Sequence, residues 1–183
     1  MKISKRLVSI AFVLLSFLSL ASISYADYWS GSKTWGGTTI YQYDSSVSSY
    51  GYGPHYDAAI ANWTSISSMV TFTSGSHSNA DKYYIGETSE AGLLGRIVAY
   101  NASGDPTSDN GNWHHVNVSG YHNNMESYSM SYAERISNLT HEVGHSLKLA
   151  HPSTSQTSVM NQGIQSIGPS TYDQNELKAK WGN

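Results

Sequence analysis

Apolar and polar positions recur along the chain with two different periods, and these periods predict helices and strands. Apolar residues spaced three or four apart predict one helix over 55–66 and a longer helix over 132–147. Short runs rich in β-branched and aromatic residues predict strands. The five predicted strands cover residues 35–43, 70–73, 82–86, 96–100 and 113–118.

A last helix is predicted to begin after Pro169 and to end near Lys180. Thr171 has the side chain of an N-cap, and Gln174 three residues later would complete a capping box. The resulting order is strand, helix, four strands, helix, loop and helix. This order predicts one α+β domain whose early strands form a single sheet.

The first 26 residues have the pattern of a secretory signal peptide. A basic start precedes an apolar stretch over 7–20, which is too short to span a membrane comfortably. Residues 24–26 form a small-x-small cleavage site. We therefore expect residues 27–183 to be secreted as one extracellular domain, with no stable membrane insertion after cleavage. The alternative is an uncleaved N-terminal anchor.

Composition narrows the classes of function. Three of the ten Lys and Arg residues lie in the first 26 positions, and the chain has 13 Asp and Glu. The secreted domain would therefore carry a net charge near −6, which disfavours nucleic-acid binding. The chain contains no Cys, so packing, hydrogen bonds and metal ions must stabilise it without disulfides.

The stretch from His141 to His151 carries the most informative chemistry, because it is HExxH followed by a third His six positions later. Residues four apart share a helix face, so His141 and His145 can bind one metal ion. A catalytic zinc takes three protein ligands and keeps a fourth position for water. Glu142 is not needed as a ligand and can take a proton from that water.

His151 cannot share the helix face of His141, because ten residues correspond to roughly 15 Å along the axis. The chain must therefore leave the helix after about Leu147 and double back. The pattern predicts a zinc hydrolase. The alternative is an amphipathic helix whose histidines are exposed or hydrogen bonded in the core.

This motif and the order of elements resemble the metzincin zinc peptidases, most closely the small matrixin catalytic domains. Residues 141–151 match the signature HExxHxxGxxH at its four functional positions. Residues 158–161 resemble the methionine turn that follows it. Residues 70–86 and 172–182 resemble matrixin strands and the matrixin C-terminal helix in the same order, so the resemblance covers most of residues 33–183.

The resemblance implies a twisted five-stranded mixed sheet with two long helices, in which a methionine turn and a C-terminal helix follow the active-site helix. It implies a secreted zinc endopeptidase that acts on protein or peptide substrates. His141, His145 and His151 would bind one catalytic zinc ion, and Glu142 would be the general base and acid. Met160 would pack beneath the ligands, although an ordinary core methionine is the alternative.

The family's substrate-binding edge strand would fall on Arg96, Ile97, Val98, Ala99 and Tyr100, where substrate backbone would pair by β-addition. An ordinary sheet strand is the alternative there. A second function also stays open, namely a catalytically weak binding module that retains zinc. We expect a monomer in either case.

The sequence departs from the family signature at Lys148, where most metzincins have Gly. Glycine lets the chain turn with φ above zero, and a lysine there would cost on the order of 1 kcal/mol. We predict that Lys148 or a direct neighbour ends the helix, with zinc binding offsetting the cost.

Further metal sites are possible on residue type alone. Asp105 and Asp109 lie in a turn and could bind calcium through hard oxygen ligands, although a plain polar turn is the alternative. A second zinc could use side chains without diagnostic spacing, and hydrogen-bonded histidines are the alternative. These side chains belong to His77, Asp81, His114, His115 and His122.

Overall fold

The computed structural model describes residues 27–183, and the predicted signal peptide over 1–26 lies outside the described residues. The strands are β1 (Thr38–Tyr43), β2 (Thr71–Ser74), β3 (Asp81–Gly86), β4 (Gly95–Tyr100) and β5 (His115–Tyr121). The helices are α1 (Ser45–Ser49), α2 (Gly53–Trp63), α3 (His122–Ser127), α4 (Tyr132–Ser146) and α5 (Thr171–Trp181).

The five strands form one mixed sheet in the order β2-β1-β3-β5-β4. Strand β1 pairs in parallel with β2 and β3, and β3 pairs in parallel with β5. Only β4 runs antiparallel, with Ile97 opposite Val118 on β5, and it forms one edge of the sheet. The predicted α+β class with an early sheet is therefore confirmed.

The core lies between this sheet and the two helices α2 and α4. Trp63 of α2 is fully buried, and its indole N–H donates to the carbonyl of Thr140 on α4 at 2.8 Å. Val118 of β5 and Leu139 of α4 are also fully buried. Each large apolar side chain buried in this way contributes about 1.5–3 kcal/mol, so the sheet holds α4 rigidly.

Two helices, α2 and α5, differ from the predictions at one terminus each. Helix α2 ends at Trp63 rather than at 66, because Thr64 is extended and Ser65 has a φ of 74°. The N-cap of α5 is Ser170, so the prediction of Thr171 was wrong. Its capping box is completed by Asp173 instead of Gln174, because the Asp173 carboxylate accepts the Ser170 N–H at 2.7 Å.

Three further features escaped the sequence patterns. Helices α1 and α3 have five and six residues, too few to show an apolar stripe. Residues 27–33, the N-terminal segment, have no periodic pattern but pack against the chain that follows α4. The N–H of Trp29 donates to the carbonyl of Lys148 at 2.8 Å, and the N–H of Ala150 donates to Asp27 at 2.9 Å.

Within residues 27–183, no helix combines the length and the apolar character that crossing a bilayer requires.

Candidate metal centre

Three histidine side chains meet at the C-terminal half of α4. The Nε2 atom of His151 lies 3.1 Å from Nε2 of His141 and 3.1 Å from Nε2 of His145. Within residues 27–183, these three form the only group of at least three such side chains close enough to hold a metal ion. The predicted ligands are therefore brought together, two by α4 and one by the chain that returns to it.

Backbone carbonyls orient both helical histidines. His141 donates from Nδ1 to the carbonyl of Val159 at 2.9 Å, and His145 donates from Nδ1 to the carbonyl of Leu149 at 2.8 Å. A proton on Nδ1 leaves the lone pair of Nε2 free for a metal ion. Trp29 also stacks on the ring of His145, with ring centroids 5.1 Å apart and an interplanar angle of 21°.

The chain leaves α4 through a left-handed residue. Leu147 caps the helix, and Lys148 has a φ of 68°. The N–H of Leu149 then donates back to the carbonyl of Gly144 at 3.1 Å. This turn reverses the chain and returns His151 to the helix, so the prediction that Lys148 or a direct neighbour ends the helix is confirmed.

The side chain of Lys148 is fully buried. Its ammonium donates to the carbonyls of Ser30, Asp109 and Gly111, each at 2.9 Å, and lies 3.7 Å from the ring centroid of Trp113. Burial lowers the pKa of Lys148 to about 8, which leaves the amine mostly protonated at neutral pH. These contacts stabilise the left-handed residue from within the chain, a source of stability that the sequence pattern did not indicate. The contribution of zinc binding stays a prediction.

Glu142 lies beside the histidines and against the edge strand. Glu142 is 5% exposed, and its Oε2 atom has no hydrogen-bond partner within residues 27–183. Burial raises the pKa of Glu142 to about 8, and the positive charge of Arg96 opposes this shift. A buried polar atom without a protein partner is a position for water or a ligand.

Gly95 of β4 has no side chain, and the Glu142 side chain occupies the space that one would fill. A Cβ at position 95 would lie 2.5 Å from both Oε1 and Cγ of Glu142. Real Cβ atoms do not approach other atoms so closely, so the edge strand can pass the carboxylate only with glycine there.

Met160 packs against α4 at Gly144. A Cβ at position 144 would lie 2.5 Å from the sulfur of Met160, which is 2% exposed. Gly144 stands between the two helical histidines in the sequence. The close approach therefore places Met160 directly behind the part of α4 that carries both of them.

Asp173 holds the turn that contains Met160. One carboxylate oxygen accepts the hydroxyl of Ser158, and the other accepts the N–H of Val159 at 3.0 Å. The hydroxyl of Ser158 accepts the N–H of Met160 at 2.9 Å. Because Asp173 also caps α5 through Ser170, one carboxylate joins the last helix to the carbonyl that orients His141.

The histidines and Glu142 face a cleft of about 380 Å³. Gly95, Arg96 and Ile97 of β4 line it, as do Gln162, Gly163 and Gln165. Trp29 and Asp109 line it as well. Arg96 itself pairs with Glu90, with a nitrogen–oxygen distance of 2.7 Å on the surface.

All five residues predicted to bind substrate, Arg96 to Tyr100, lie in β4 at the edge of the sheet. Leu94, just before the strand, accepts the N–H of Tyr121 at the end of β5 at 2.9 Å. Backbone groups alternate along a strand, so those of Gly95 and Ile97 point away from the sheet.

The outward edge of β4 is closed at its far end. The carbonyl of Ala99 accepts the N–H of Thr107 at 2.9 Å, so this group is already paired within the chain. The backbone available for pairing is therefore limited to the neighbourhood of Gly95 and Ile97.

The other candidate metal ligands lie apart from this centre. Asp105 is exposed, whereas Asp109 reaches the cleft and binds the Lys148 ammonium through its carbonyl. Calcium at these two residues stays a prediction. Asp81 forms a buried ion pair with Lys33 at 2.7 Å.

The histidines proposed for a second zinc are scattered. His114 and His115 have their Nδ1 atoms 3.3 Å apart, while His122 contacts Tyr52 and His77 contacts Trp35. Among the described residues they form no group of three metal ligands.

Sequence patterns missed three residues that shape the centre, namely Trp29, Gly95 and Asp173. Trp29 lies in a segment without a period, and Gly95 acts through the absence of a side chain. Asp173 stands three residues after Ser170, and this capping-box spacing was the one available indication of its role.

A scan against models of known protein families finds no match to this chain, and a search of curated proteins finds no significant match. Function must therefore be inferred from the residues and geometry of the site.

In the metal-free protein, the His141 ring should destabilise the fold as the pH falls. Burial lowers the pKa of His141 to about 4 in the folded protein, whereas an unfolded chain has a His pKa near 6.5. The unfolded chain therefore binds the proton first, and unfolding becomes easier between pH 6.5 and 4. His141 should therefore lower the free energy of unfolding by roughly 2–3 kcal/mol over this range, while Glu142, whose pKa is raised to about 8, acts in the opposite direction. Urea denaturation at several pH values measures it.

His141→Gln is the matched variant for this experiment, because it removes the titrating ring. Between pH 6.5 and 4, the free energy of unfolding of His141→Gln should fall by roughly 2–3 kcal/mol less than that of the parent. Parallel curves for the parent and the variant would contradict the assignment.

Asp173→Asn should weaken both stability and metal binding. An amide group would replace one acceptor oxygen with a donor that faces N–H groups. We expect the free energy of unfolding to fall by about 2–4 kcal/mol. Thermal denaturation and zinc titration measure the two effects. Asp105→Asn, at an exposed aspartate, is the control and should change neither.

Proposed function

We propose that this chain is a secreted, zinc-dependent endopeptidase with a metzincin-like catalytic domain. The observation that carries the proposal is the pairing of a three-histidine cluster with a buried carboxylate in one cleft. The three Nε2 atoms converge, and Glu142 beside them has an unpartnered oxygen. This combination is what metal-assisted hydrolysis requires.

The donor set fits zinc. Imidazole nitrogens are preferred ligands for zinc, and three of them leave a fourth position open. Tetrahedral bonds of about 2.0–2.1 Å place ligand nitrogens roughly 3.3 Å apart. The observed separations of 3.1 Å agree with this, and the two carbonyl-bound Nδ1 atoms keep the helical rings in the required tautomer.

The remaining chemistry belongs to residues of this chain. A bound zinc ion would polarise the substrate carbonyl and lower the pKa of water. Glu142 would accept a proton from the attacking water and pass it to the leaving amine. Its Oε2 atom has no partner within residues 27–183 and is free for both transfers.

A peptide substrate is supported by the shape of the cleft. The outward backbone groups of Gly95 and Ile97 offer a short edge on which an extended peptide could pair. Gly95 also lies against Glu142, so a paired peptide would lie beside the carboxylate. An open cleft with a strand along one side can accept the middle of a peptide substrate, as cleavage by an endopeptidase requires.

Glu142→Gln should abolish peptide cleavage while zinc is retained. The amide keeps the shape of the side chain but cannot accept a proton, and we expect activity to fall at least about 10³-fold. Zinc content by elemental analysis and mass-spectrometric mapping of cuts in a peptide mixture measure the two properties.

The exposed Glu87→Gln is the control and should match the parent. Cleavage by Glu142→Gln at the parental rate would refute the mechanism. Zinc binding by the parent without turnover of any peptide would instead favour the zinc-retaining binding module.

Gly95→Ala should reduce cleavage although residue 95 has no side chain to contribute. Its Cβ would collide with Glu142 and displace the carboxylate, so we expect kcat to fall by about 10²-fold, as for other small misplacements of catalytic groups. Zinc content should not change.

Gly86→Ala is a matched control, because a Cβ at that strand glycine meets no atom within 4 Å. Steady-state kinetics compares the two variants. Equal activity of both would show that the space at Gly95 does not position Glu142.

A further inference from the structure

The Lys148 ammonium binds two separate segments of the chain. One is the N-terminal segment, through the carbonyl of Ser30, and the other is the loop over 104–112, through Asp109 and Gly111. Lysine has three N–H donors, and all three are used. Within residues 27–183, no carboxylate accepts a hydrogen bond from this amine. The charge is therefore held by carbonyl oxygens, as a bound metal ion often is.

The convergence of three carbonyls needs a cation. Their oxygens all point at one buried position, where they would otherwise be unpaired and would repel one another. The two segments are also in direct contact, since the N–H of Ser30 donates to the side chain of Asn110 at 2.9 Å. The ammonium thus occupies the centre of an interface between them.

Both segments contribute to the same cleft. Trp29, next to Ser30, lines the cleft and stacks on His145. Asp109, whose carbonyl binds the ammonium, also lines it. Trp29 and Asp109 therefore form a part of the cleft that depends on the interface around the Lys148 ammonium.

We infer that Lys148 is a positioning residue: its ammonium acts as a built-in cation that fixes Trp29 and Asp109 as a substrate-binding wall. This inference rests on the proposed endopeptidase function. The wall binds the peptide on the N-terminal-segment side of the metal, and Lys148 itself touches no substrate.

Lys180 provides a comparison, because its ammonium donates to Trp29 and Gly31 at 2.8 and 2.7 Å. It binds the N-terminal segment and makes no hydrogen bond with the loop over 104–112. Lys180→Met therefore loosens one segment, whereas loss of the Lys148 amine removes contacts with both and leaves them joined by the bonds from Ser30 to Asn110 and from Ser32 to Asn112.

The test uses Lys148→Gly in the full secreted protein loaded with zinc. Glycine adopts the φ of 68° more easily than lysine, so this variant relieves backbone strain while removing the cation. Lys148→Met is measured in parallel, because it fills the space without the charge. Lys178→Met on α5 is the control, since the side chain of Lys178 makes no hydrogen bond or ion pair within residues 27–183.

Two readouts are measured. Amide hydrogen exchange should become faster over 27–33 and over 104–112 in both Lys148 variants, but not over β3 and β5. At saturating zinc, KM for peptide substrates should rise about tenfold while kcat stays within about threefold, because the Leu149 carbonyl still orients His145 when Trp29 is released. Added n-butylammonium, which replaces the missing side chain and its charge, should lower the KM of Lys148→Gly.

The outcomes separate the alternatives. Unchanged exchange over 104–112 in both variants would overturn the inference. Faster exchange with an unchanged KM would reduce Lys148 to a purely structural role and would overturn it as well. If the parent cleaves no peptide, the endopeptidase proposal fails, whereas the exchange data still decide whether Lys148 joins the two segments.

Discussion

The reversal of the chain at Lys148 is the constraint on which the candidate metal centre depends. Two histidines share a helix face by spacing alone, but the third must return over the end of the helix. The turn that returns it also orients its neighbour, because the carbonyl of Leu149 accepts from Nδ1 of His145. Helix termination, ligand convergence and ligand orientation are therefore one local structure.

Around that turn, the site is assembled from parts that are distant in the sequence. Gly95 and Gly144 bring the edge strand and the Met160 turn into contact with α4, each by leaving out a side chain. Asp173 ties the same turn to the last helix. The carboxylate of Glu142 and the histidine rings are consequently held by packed backbone rather than by flexible side chains, which suits a preorganised centre.

The sequence predicted the parts of this arrangement that have a period or a fixed spacing. The apolar stripe of α4, the order of the strands and the HExxH spacing were enough for the α+β sheet and for the meeting of the three histidines. Contacts between distant residues have no such pattern. The packing of Trp29 on His145 and the carbonyls around Lys148 could not be predicted, because neither follows from local spacing. Ser170 and Thr171 are adjacent hydroxyl residues, and either has the side chain of an N-cap. The hydrogen bonds between Ser170 and Asp173 make Ser170 the N-cap.

The short open edge of β4 has a consequence for solubility. An uncovered edge strand is a template on which copies of a protein can join sheet to sheet, and this chain has no disulfide to restrain such association. The hydrogen bond from Thr107 to Ala99 closes one end of that edge. The edge that stays open covers only the neighbourhood of Gly95 and Ile97, which is short for sheet-to-sheet pairing between copies.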